Sequence, residues 1–96
     1  MKMLMIVCPK ARQDEVTQLI ERNGVHAYSE IPEIIGAGKT GKKLGTHTFP
    51  EKSSLVFTVV SEEKELELVA ALSHCATNLY SDEGMKAFVL PIESVI

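Results

Sequence analysis

From Lys2 to Cys8 (KMLMIVC) the apolar positions run almost without interruption, the pattern of a buried central strand. Pro9 ends that run. From about Ala11 to Asn23 the pattern changes: Val16, Leu19 and Ile20 recur at helical spacing, while Arg12, Gln13, Asp14, Gln18, Glu21 and Arg22 fill the opposite side. This predicts an amphipathic helix. Gly24 is suited to close it, because glycine takes a left-handed cap without steric penalty. Val25 to Ile35 is the next extended segment, and Pro32 predicts an edge or bulged strand rather than a central one.

The second half follows the same order. Ser54 to Val60 (SLVFTVV) is β-branched and aromatic, hence a strand. Ser61 can cap a helix, with Glu62 and Glu63 favourable beside its N-terminal dipole. That helix carries Leu66, Val69, Ala70 and Ser73 on one line and Leu68, Leu72, Cys75 and Leu79 on another, which predicts a wide buried face. Ser81 to Gly84 reads as a turn and Lys86 to Leu90 (KAFVL) as a last strand before Pro91. The order is βαββαβ, an α+β chain of the ferredoxin-like plan: one antiparallel sheet with two helices on one face. These strands are too apolar for their other face to meet water, so a second subunit is expected to cover it.

Composition narrows the function. At 96 residues, 45% hydrophobic and 24% charged, residues 1–96 form a single globular domain rather than a disordered chain. Ten basic against 13 acidic residues give a net charge of −3, which argues against a general nucleic-acid binder. The apolar run Met3 to Val7 falls far short of the roughly 20 residues of a membrane span and of a signal peptide's core, so a cytoplasmic location is expected. Cys8 and Cys75 lie far apart in no CxxC pattern and read as free thiols among apolar residues.

Between Gly36 and Lys52 the pattern lapses. Four of the six glycines, four lysines and Pro50 lie there, without helical or strand periodicity. Loops of about 15 residues inside a compact domain are uncommon and are usually functional or disordered. GAGKTGKK, residues 36–43, approaches the phosphate-loop pattern GxxxxGK[ST], but Lys43 stands where the magnesium-binding hydroxyl belongs and no helix follows. A glycine-rich backbone can still turn N–H groups toward an anion, and Lys39, Lys42, Lys43 and Lys52 make the segment cationic within an acidic protein. A solvated loop and a docking element for a partner fit the same residues.

Metal and catalytic chemistry are less favoured. His26, His47, His74, Cys8 and Cys75 match no zinc spacing, and His74 and Cys75, adjacent on a helix, point about 100° apart. No GxSxG or HExxH motif is present, and Glu62, Glu63, Glu65 and Glu67 read as a solvated helix face. An enzyme has only fold-level analogy behind it.

Three segments carry a family resemblance. MLMIVCPKARQDEVTQLIERNGV resembles the first strand, proline-lysine turn and first helix of PII-type nitrogen-regulatory proteins. IIGAGKTGKK resembles the point where their second strand passes into the T-loop, and EGMKAFVLPIESVI their B-loop and last core strand. The resemblance implies a non-enzymatic regulator, a homotrimer with inward-facing sheets, and clefts between subunits that take an anionic effector such as ATP, ADP or AMP. It also implies a regulated partner, a transporter or enzyme, contacted through the T-loop.

Carried over by position, Gly36, Gly38, Lys39, Thr40, Gly41, Gly84 and Lys86 would bind the effector, with Lys86 reaching phosphate. Lys42, Lys43, His47 and Lys52 would belong to the partner-contacting loop. The sequence departs from the family in having no tyrosine in that loop, in SDEGMK at the B-loop, and in reaching Ile96 without the arginine-bearing C-terminal segment. The last two departures predict weakened triphosphate binding, since a charge-assisted contact is worth about 1.5–3 kcal/mol. A second resemblance, to trimeric CutA-type divalent-cation proteins of the same architecture, would draw instead on His26, His47 and Cys75.

Overall fold

A computed structural model describes residues 1–36, 52–77 and 84–96. The elements run β1 (Lys2–Pro9), a 3₁₀ turn (Lys10–Arg12), α1 (Gln13–Arg22), β2 (Ser29–Ile34), β3 (Ser53–Val60), α2 (Glu62–Ala76) and β4 (Lys86–Pro91). They form one sheet in the order β2-β3-β1-β4, with every neighbouring pair antiparallel. This is the ferredoxin-like arrangement. The apolar run of β1 is central, and β2, the strand with Pro32, is an edge. Its ladder to β3 is irregular between Ile31 and Ile34, as the proline predicts.

One sheet face is the core. Leu4, Ile6 and Cys8 of β1 and Val56 of β3 are fully buried, beneath Val16 and Ile20 of α1 and Leu68 and Leu72 of α2. Two local devices set the helices. At the end of α1, Gly24 adopts φ +85°, and Lys64 of α2 donates to the Asn23 carbonyl oxygen at 2.7 Å, placing a cation at the helix's negative end. At the start of α2, Ser61 Oγ accepts from the Lys64 N–H at 3.2 Å, the predicted cap.

The other face has no cover within the described residues. Cross-strand register puts its side chains in rows: Ile31, Leu55, Val7 and Lys86; then Ser29, Phe57, Met5 and Phe88; then Val59, Met3 and Leu90. All but Lys86 and Ser29 are apolar, and Phe88 remains 54% exposed.

Three expectations need correction. β2 begins at Ser29 rather than Val25, because Val25 turns into the core and Thr58 of β3 bonds the Ala27 carbonyl oxygen at 2.6 Å in place of a ladder. The first helix is preceded by a 3₁₀ turn. The buried face of α2 is narrow: only Leu68 and Leu72 are buried, while Leu66 is 67% exposed and Ala70 and Ser73 also face out.

These burials make an ordered prediction. Ile6→Ala removes a fully buried side chain and is expected to cost about 2–5 kcal/mol. Leu66→Ala should stay within about 0.5 kcal/mol, as surface changes usually do. Urea unfolding followed by circular dichroism compares them, and equal midpoints would contradict this core.

Candidate functional site

The strand directions bring the chemistry to one end of the sheet. There β1 gives way to Lys10, β2 runs out toward Gly36, Lys52 precedes β3, and Gly84 precedes β4. The connections within this end are specific. Glu33 Oε1 lies 2.9 Å from Lys10 Nζ and 3.1 Å from Lys52 Nζ, and the Lys10 N–H donates to the Lys52 carbonyl oxygen at 2.9 Å. The two ammonium groups hold the Glu33 carboxyl below the ordinary glutamate value by hydrogen bonding and charge, the Lys10 bond first.

A second set of bonds lies beside it. Gln13 Nε2 donates to Glu30 Oε2 at 2.6 Å, which leaves Gln13 Oε1 turned toward the fully buried Ser54. Ser54 Oγ sits 2.7 Å from that oxygen and 2.8 Å from the Pro32 carbonyl oxygen, so its single proton serves one acceptor at a time. No buried side-chain nitrogen or oxygen among the described residues is left unpaired.

The predicted residues divide. Gly36, Lys52, Gly84 and Lys86 all lie at this end of the sheet, whereas Gly38, Lys39, Thr40, Gly41, Lys42, Lys43 and His47 lie outside the described residues. Gly36 and Lys86 are not neighbours. Gly36 follows β2 and Lys86 begins β4, the opposite edges, whose backbones are three inter-strand spacings apart, roughly 14 Å. A Cβ added at Gly36 or Gly84 would meet nothing within 4 Å, and neither has a positive φ, so the fold of the single chain does not explain either glycine.

Lys52, expected in the partner-contacting loop, is paired with Glu33 and remains about half exposed. Sequence reasoning missed Glu33, Lys10, Gln13 and Ser54, because their bonded pairs lie up to 41 residues apart and no local pattern joins them.

The thiols lie elsewhere. Cys8 is buried, and desolvation, aided by the nearby Cys75, pushes its pKa up to about 11. Cys75 is partly buried and lines a groove of about 290 Å³ between α1 and α2 with Glu15, Leu19, Arg22 and His74. Burial raises its pKa as well. Both thiols therefore resist ionisation at neutral pH. Among the described residues no group of three or more His, Cys, Asp or Glu is placed to hold a metal ion, so the CutA-type reading gains no support.

The family model for nitrogen regulatory protein P-II matches residues 1–96 in full. The chain belongs to the P-II family. Two solved structures agree in fold. A PII-like signalling protein of Thermus thermophilus is 20% identical with a TM-score of 0.68, over 93% of this chain and 83% of its own. The CPII protein of Thiomonas intermedia, solved bound to ADP, AMP and acetate, is 20% identical with a TM-score of 0.66, over 97% of this chain and 88% of its own. No curated protein sequence matches the chain. Among the described residues no helix is long and apolar enough to cross a membrane.

The Glu33 cluster carries a signed prediction. Because its carboxyl titrates below the ordinary glutamate value, its ion pairs stabilise the fold above the unfolded value and are lost as pH falls through the lowered one. In a carbon-detected NMR titration, about 1 M salt should return the Glu33 midpoint toward the ordinary value by screening. A midpoint that is ordinary at low salt, or insensitive to salt, would contradict the pairing.

Proposed function

We propose that the protein is a non-enzymatic PII-like regulator acting in the cytoplasm. It assembles as a homotrimer through the open sheet face. At the clefts between copies it binds an anionic effector of the adenine-nucleotide class, ATP, ADP or AMP. It controls a partner, a transporter or enzyme, through the glycine- and lysine-rich segment that leaves β2 at Gly36 and returns at Lys52.

The observation that carries this reading is the open face itself: rows of apolar side chains that end, at the sheet end bearing Gly36 and Lys52, on Lys86. A copy seated on that face would remove Phe88 and Leu90 from water and bring a second chain's edge toward Lys86, in a molecule whose own edges stand roughly 14 Å apart. The family match supports the regulatory class, and the nucleotides bound to the Thiomonas protein support the effector class. Backbone N–H groups unhindered by side chains at Gly36 and Gly84, with the Lys86 ammonium, are the donors such an anion needs.

Isothermal titration with ATP, ADP and AMP tests the effector. At least one should bind below about 1 mM, and Lys86→Ala should weaken it about 10- to 100-fold, the loss of one charge-assisted contact. No binding by any of the three, or an unchanged affinity in the variant, would overturn this assignment.

A further inference from the structure

We propose that Glu33 is a positioning residue, a clasp joining Lys10 and Lys52 that sets the direction in which the chain leaves β2 at Gly36, and with it the affinity of the effector cleft. The second half rests on the nucleotide reading above.

The ladder supplies the reason. Between Ile31 and Ile34 the pairing of β2 with β3 shifts register before resuming at Ile34 opposite Ser53, so Pro32 and Glu33 are not aligned by regular backbone bonds. Side chains take over across that gap. Ser54 Oγ lies 2.8 Å from the Pro32 carbonyl oxygen, and Glu33 reaches Lys10 beyond β1 and Lys52 before β3 through one carboxylate oxygen. The two cations belong to segments already joined by the 2.9 Å backbone bond from Lys10 to Lys52. One residue thus ties the end of β2 to both segments and braces the backbone bond between them.

The groups are about half exposed, and exposed ion pairs add little to global stability. The effect of Glu33 is therefore local, on where the chain points. A merely stabilising residue would instead shift the melting temperature.

Glu33→Gln keeps the shape and removes the charge, and Glu33→Asp keeps the charge. At low salt and neutral pH, Glu33→Gln should speed amide exchange at Lys10 about threefold or more, because the Lys10–Lys52 bond opens locally more often. It should weaken ADP binding about tenfold while leaving the melting temperature within about 2 °C, and Glu33→Asp should recover most of both effects. Unchanged exchange at Lys10 in Glu33→Gln overturns the clasp. Faster exchange with unchanged ADP affinity overturns its link to the cleft. If the wild-type protein binds none of ATP, ADP and AMP, the nucleotide reading and the link to the cleft both fail, and Lys10 exchange alone decides the clasp.

Discussion

Two helices cover one face of a four-stranded sheet, and the rest of the structure answers to that constraint. The helix pair lies over Leu4, Ile6, Cys8 and Val56 and leaves Met5, Phe57 and Phe88, in the alternate positions, on the other side. A strand's period of two makes this division strict, since every residue that does not face the helices faces the opening. β1 has apolar residues on both sides: one set packs beneath the helices and the other lies on the open face. At roughly 25 cal/mol per Å² of apolar area, a face of this kind is a strong drive to association for a domain too small to have stability to spare.

Much of this could be read from the chain. Pro9 stops β1, Pro32 marks the edge strand, Gly24 takes the positive φ at the end of α1, and Ser61 caps α2. Each of these is a local rule of backbone chemistry, so local sequence reveals it. The misreadings are cases where tertiary contacts decide. Leu66 fits a helical stripe as well as Leu68 does, yet only the sheet beneath determines which stripe is buried. Val25 looks like the start of a strand and becomes a core side chain, because the loop after α1 must close over the sheet.

The candidate site was legible only in part, for the same reason. Glycine and lysine content points to residues 36–52 and Lys86, but no sequence pattern says that Gly36 and Lys86 occupy opposite edges of the sheet. Strand order says it. Nor does any pattern predict that Glu33 would gather Lys10 and Lys52, since that depends on β1, β2 and β3 meeting at one end. Two consequences follow for the proposed regulator. Its cationic end carries a built-in carboxylate that offsets part of the charge, and its glycines at 36 and 84 leave room that a single chain does not use.

The proposed trimer rests most directly on the open face, and the mass of the assembly in solution tests it. Sedimentation equilibrium at micromolar concentration should give about three times the 10.5 kDa chain mass for the wild type, with Phe88→Asp shifting the population toward single chains. A wild-type protein that sediments as a single folded chain would contradict an apolar face buried between copies.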